Sequence, residues 1–271
     1  MDVGPRPERR LVKVGPTEIR VHLRGSGPEL VLLNGIGGHI GMWEPLVAEL
    51  QGARRLVMFD APGAGSTDPL PRRVRMKGLA SIVVEILDQL GLQRVDLLGY
   101  SWGGALAQQV ARDAHHRVRR LVLASTVPGT GGRPPSLKVV LAMLSPTRFS
   151  TPEKTREAAA VIYGGDYRNG QLDGRGALRL WNDKPPTAAG YAQQLYAITG
   201  WTSLPWLGQI RARTLILSGD DDPLAPAFNA RLMARLLRRA ELHLVPGGGH
   251  LWLLDHAPES ARVVEAFLAS S

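Results

Sequence analysis

The stretch VDLLGYSWGGALAQQ, residues 95–109, decides how the chain folds. Its first half is apolar on consecutive positions, the pattern of a strand buried on both faces. Its second half continues into VARDA with small and apolar residues at helical spacing. Ser101 stands at the junction, with Gly99 before it and Gly103 and Gly104 after it. A passage from strand to helix this short forces the serine into a strained backbone conformation, and small neighbours let helix and strand approach. The hydroxyl is then held clear of the sheet at a helix N-terminus, where the dipole favours developing negative charge. The spacing G-x-S-x-G alone is weak evidence in a glycine-rich chain. Its place between a buried strand and a helix makes Ser101 a candidate nucleophile rather than a turn residue.

Outward from this junction the same alternation recurs. Residues 10–23 read as a β-hairpin broken at Gly15–Pro16. Apolar runs follow at 29–35, 54–60, 94–100, 118–126, 213–220 and 240–245, rich in Val and Leu on consecutive positions. Helical patterns lie at 78–91, 103–114, 227–240 and 258–269. The order predicts an α/β fold: a mostly parallel, eight-stranded sheet flanked by helices.

Residues 127–210 break the rhythm, being too long for an ordinary crossover. They hold eight of the fifteen aromatic residues, among them Tyr163, Trp181, Trp201 and Trp206. The expected organisation is a core of residues 1–126 and 211–271 with 127–210 inserted as a helical cap. The rings suit an apolar underside, and equally the cap's own small core.

With 271 residues, 44% of them hydrophobic, the chain can bury one sizeable core. It has no cysteine, hence no disulfide framework and no thiolate metal site. It has no H-E-x-x-H, Walker loop or G-x-G-x-x-G, so neither a metal nor a cofactor is expected. The start lacks a signal-peptide core and no run is long enough to span a bilayer, so the expectation is a cytoplasmic protein. The net charge of +9 comes from 28 arginines and five lysines. Arginine pairs are scattered, from Arg9–Arg10 to Arg238–Arg239, without an aromatic-interleaved stripe. That spread argues against a nucleic-acid partner.

A serine hydroxyl needs a base and the base needs a carboxylate. Of seven histidines, His250 follows the last strand in PGGGHLW, a glycine-rich loop able to bring an imidazole over the sheet edge. His243 lies inside a strand and His256 opens the last helical region. The stretch SGDDDPLAP, 218–226, offers Asp220, Asp221 and Asp222, at least one of them suited to capping a helix. The order Ser…Asp…His is that of a nucleophile elbow on such a sheet. One oxyanion donor is expected at the backbone N–H of Trp102, directly after the nucleophile.

On these residues the chain resembles the α/β-hydrolase superfamily over essentially its whole length. The superfamily's Gly-x-x-Asp-x-x-x-Pro pattern matches Gly219, Asp222 and Pro226, which implies Asp222 as the acid, with Asp220 second. The resemblance also implies Ile36, in NGIGG, as the second oxyanion donor. Most relatives carry His-Gly where this chain has Asn34-Gly35, a departure that leaves the backbone donor intact. A narrower resemblance, through LNGIGG, SWGGALAQQ, SPTRFSTP, IYGGDYR, GWTSLPWL, GDDDPLAP and AELHLV, is to the intracellular medium-chain-length polyhydroxyalkanoate depolymerases. It implies hydrolysis of polyesters of 3-hydroxy fatty acids, an apolar ester substrate, and a granule surface as a partner. Trp181, Trp201, Trp206 and Tyr163 are then expected to line the substrate pocket. The same triad also suits a small-ester carboxylesterase, a lactonase or a C–C bond hydrolase. A ligand receptor with vestigial hydrolysis is the alternative of a different class.

Overall fold

The computed structural model describes residues 8–145, 151–173 and 183–270. Eight strands form one sheet: β1 (Glu8–Val14), β2 (Thr17–Arg24), β3 (Glu29–Leu33), β4 (Arg55–Phe59), β5 (Val95–Tyr100), β6 (Val118–Ala124), β7 (Arg213–Gly219) and β8 (Ala240–Val245). Their order is β1-β2-β4-β3-β5-β6-β7-β8. β1 and β2 form the antiparallel hairpin, β2 runs antiparallel to β4, and every later pairing is parallel. The burial follows the side-chain pattern. β2 alternates buried and exposed residues at its start, whereas β5 is buried at every position.

Helices cover both faces. Met76–Gln89 and Trp102–Asp113 pack on one face around Val31, Leu97, Leu121 and Ile216. Glu44–Leu50 and Ala257–Ala269 pack on the other around Leu30, Leu98, Val122 and Leu217. Successive residues of each central strand therefore feed opposite cores, as the pleat requires.

Two expectations shift. The helix expected over 227–240 ends at Leu236, because Ala240 pairs with Thr214 and opens β8. β8 itself is an edge strand whose Glu241, Leu242 and His243 are exposed, not a strand buried on both faces. Between β6 and β7 lie the helices Leu137–Leu144, Pro152–Tyr163, Gly165–Arg168 and Ala188–Ile198. This excursion leaves and re-enters at one place: Thr130 N–H donates to Trp201 O (2.8 Å) and Ser203 N–H to Pro128 O (2.8 Å).

The passage from β5 into Trp102–Asp113 is packed to the limit. A methyl added at Gly103 would overlap the carbonyl oxygens of Leu33 and Asn34, which are backbone and cannot swing aside. Gly103→Ala should therefore cost about 2 kcal/mol by overpacking. In thermal unfolding that is a fall in Tm of about 4–8 °C. An unchanged Tm would show that strand and helix are not held this close.

Candidate active site

Ser101 sits at φ +53°, in the left-handed region rarely adopted by residues with a side chain. The neighbouring strand holds it there. Ser101 N–H donates to Ala124 O (2.9 Å), and Thr126 Oγ1 donates to Ser101 O (2.6 Å). Ser125, between these two partners, also has positive φ, +46°. The helix then begins at Trp102, so its first N–H groups have no acceptor a turn earlier.

His250 reaches the serine from the loop after β8. Its Nε2 lies 3.1 Å from Ser101 Oγ and its Nδ1 lies 2.8 Å from Asp222 Oδ2. With Nδ1–H donating a hydrogen bond to the carboxylate, Nε2 is left free to accept the hydroxyl proton. His250 and Asp222 are both buried, 5% and 4% exposed, so the pair works at low effective dielectric. The loop fits only because its glycines lack side chains. A methyl at Gly249 would overlap Tyr163 O, and one at Gly219 would overlap Gly248 O.

The three adjacent aspartates separate by direction. Asp222 turns inward, Oδ2 to His250 and Oδ1 accepting from the N–H groups of Leu224 (2.9 Å) and Ala225 (2.8 Å). Asp220 turns to the loop, where Oδ1 accepts from Gly247 N–H (2.7 Å). Asp221 accepts from Gly165 N–H (2.8 Å) and pairs with Arg168, tying the helix Gly165–Arg168 down.

The loop after β3 lies against the serine: a Cβ built on Gly35 would stand 3.5 Å from Ser101 Cβ. Its N–H groups are engaged one by one, Gly35 to Asn34 Oδ1 (2.8 Å), Gly37 to Gln194 Oε1 (2.7 Å) and Gly38 to Gly35 O (3.0 Å). The N–H of Ile36 has no acceptor among the described residues. Asn34 also donates from Nδ2 to His39 O (2.8 Å), so its side chain braces the loop. The stretch DAPGAGST turns beside it, with Asp60 accepting from Ile40 N–H (2.7 Å) and Ser66 N–H (2.8 Å).

The expected pocket rings divide. Tyr163 lies at the site: its carbonyl accepts from His250 N–H (2.7 Å) and its ring meets that of Tyr167, 5.5 Å between centroids. Trp201 and Trp206 pack with the core. They pack edge to face at 5.9 Å on the helix Trp102–Asp113, Trp201 Nε1 donating to Gln109 Oε1 (2.8 Å) and Arg112 standing over the Trp206 ring. Gln109 is roughly 12 Å along the helix from Ser101, so these indoles serve the core. Trp181 lies outside the described residues.

Sequence patterns missed three residues. Tyr100, fully packed under the site, donates from its hydroxyl to His250 O (3.1 Å). Burial, and next the Asp222 charge, hold that hydroxyl far above the usual tyrosine range, so it stays a neutral donor. Thr126 and Gln194 are the others, and their partners lie far away in sequence, beyond any local motif.

Three comparisons with known proteins bear on the family and the fold. The family model described as the alpha/beta hydrolase fold matches residues 28–257. A poly(3-hydroxyalkanoate) depolymerase of Ectopseudomonas oleovorans is 37% identical over 263 residues, covering 96% of this chain and 92% of that one. A pimeloyl-[acyl-carrier protein] methyl ester esterase of Nitrosomonas europaea is 30% identical, covering 92% and 98%. Among solved structures, a bromoperoxidase from Bacillus anthracis superposes with a TM-score of 0.83 at 21% identity, covering 97% and 100%, a likeness of fold.

Asp222→Asn should lower kcat on an activated ester by about 10⁴-fold, by fixing the wrong imidazole tautomer, while Asp220→Asn stays within about twofold. Equal losses in the two variants would contradict the assignment of the acid.

Proposed function

The chain belongs to the α/β-hydrolase family, and from that premise we propose that it is a serine hydrolase cleaving polyesters or oligomers of medium-chain 3-hydroxyalkanoates. The observation that carries the chemistry is the hydrogen-bonded line from Asp222 through His250 to Ser101. The similarity to the Ectopseudomonas oleovorans depolymerase along nearly the whole chain carries the substrate class.

In this reading Ser101 Oγ attacks the ester carbonyl carbon as its proton passes to His250 Nε2. The carbonyl oxygen becomes an oxyanion, held by the N–H groups of Ile36 and Trp102. Collapse breaks the bond to the leaving oxygen, which takes the proton from His250 and departs as an alcohol. Water then gives a proton to His250 and attacks the acyl-serine. The acid leaves, and the proton returns to Ser101. Asp222 stays ionised throughout and stabilises the imidazolium.

Residues 127–210 serve here as the cap over the site, with Tyr163 at its inner edge. The helix Leu137–Leu144 exposes Leu137, Val140, Leu141 and Leu144 at i, i+3, i+4 and i+7, a solvent-facing apolar stripe. Such a stripe suits contact with a water-insoluble polyester better than with a small dissolved ester.

A small-ester esterase is the second reading, favoured by the similarity to the Nitrosomonas europaea methyl ester esterase. Turnover of oligomeric 3-hydroxyalkanoates set against p-nitrophenyl esters of graded length separates the two. Release of hydroxy acids from medium-chain oligomers, with longer acyl esters preferred, is the expected result. Turnover of short esters alone, with the oligomers untouched, would overturn the depolymerase reading.

A further inference from the structure

The helix Ala188–Ile198 meets the body of the molecule through backbone. Gly190 lies so close to Gly63 that a methyl at either would overlap the other. Gln193 makes a reciprocal pair with Leu70: Leu70 N–H donates to Oε1 (3.1 Å) and Nε2 donates to Leu70 O (2.7 Å). At the far end, Arg75 donates to Tyr196 O (2.7 Å) and Thr199 O (2.9 Å), with its guanidinium over the Tyr196 ring at 3.9 Å. A helix held at three points along its length cannot roll, so the direction of its next residue, Gln194, is fixed.

Gln194 is 3% exposed. Its Oε1 accepts from Gly37 N–H (2.7 Å), its backbone O accepts from the Trp102 indole Nε1 (3.1 Å), and its Nε2 donates weakly to Pro62 O (3.5 Å). Gly37 directly follows Ile36, and Trp102 directly follows Ser101. One residue of the β6–β7 excursion thus bonds the backbone beside one candidate oxyanion donor, at Gly37, and the side chain of the residue that carries the other, Trp102. The grip matters most on the loop side. Gly37 has φ +66°, in a run of glycines with little conformational preference of its own. Without an acceptor its buried N–H would turn to find another, and the adjoining peptide that carries the Ile36 N–H would turn with it.

We propose that Gln194 is a positioning residue for the oxyanion hole, setting the Ile36 N–H against the Trp102 N–H through its bond to Gly37. This rests on Ser101 acting as the nucleophile, as proposed above. Oxyanion stabilisation depends on donors fixed before the charge develops, so a small displacement is felt in the transition state and little in ground-state binding.

The test compares wild type with Gln194→Met, which keeps the volume and removes the acceptor, and Gln194→Glu, which keeps an acceptor at the same reach. The readouts are kcat and KM on a p-nitrophenyl ester, Tm, and the Ki of an alkyl boronic acid. The tetrahedral boronate adduct on Ser101 places an oxygen in the hole. Gln194→Met should lower kcat about tenfold and weaken the boronate by a similar factor, with KM within about twofold. Gln194→Glu should recover part of both. A residue that only fills space would give the opposite ranking, Met tolerated and Glu damaging. That ranking, or wild-type kcat and Ki in Gln194→Met, would overturn the inference alone. A wild type that the boronate does not inhibit would overturn the serine mechanism and this inference with it.

Discussion

The molecule is organised around one unfavourable backbone conformation. Ser101 at φ +53° costs about 1–3 kcal/mol on its own. It persists because β5, β6 and the following helix leave it no other place. The bonds from Ser101 N–H to Ala124 O and from Thr126 Oγ1 to Ser101 O fix its peptide on both sides. The contact of Gly103 with Leu33 O and Asn34 O brings the β3 loop to the same spot. Strain at the serine and the approach of the β3 loop thus have one cause, a helix whose second and third residues, Gly103 and Gly104, carry no side chain.

From that fixed point the remaining parts arrive on loops at the C-terminal ends of parallel strands: Asp222 after β7, His250 after β8 and Ile36 after β3. A parallel sheet brings such loops to one edge whatever their separation in sequence. Each loop is then trimmed by local bonds rather than by core packing. Asp220 holds Gly247, Asp221 holds Gly165 and Arg168, and Tyr163 O holds His250 N–H. The excursion between β6 and β7 reaches these loops as well. Through Tyr163–Arg168 it bonds His250 N–H and the Asp221 side chain, and through Gln194 it bonds Gly37 N–H and the Trp102 indole.

The sheet was legible in the sequence because its central strands, buried on both faces, leave unbroken Val and Leu runs: six such runs and the hairpin of residues 10–23 fall on the eight strands, although β8 lies exposed at the edge. Ser101 and His250 were legible because a strand-to-helix turn and a glycine loop mark themselves. Asp222 was not separable from its neighbours by local chemistry, since the three aspartates differ only in the direction each side chain takes. Resemblance chose it, and its bond to His250 is the physical reason behind that choice. The tryptophans were not separable by sequence for a similar reason. Composition records that rings are present but not which surface they meet, and Trp201 and Trp206 meet a helix flank. Gln194 and Tyr100 left no mark at all, because each side chain bonds backbone 150 or more residues away in the chain.

The central claim is that Ser101 is a nucleophile activated by His250. Labelling the folded protein with a fluorophosphonate, followed by peptide mapping, tests it most directly. The expected result is a single adduct on Ser101, absent in Ser101→Ala and formed far more slowly in His250→Ala. A folded wild type that does not react, or an adduct on another residue, would contradict it.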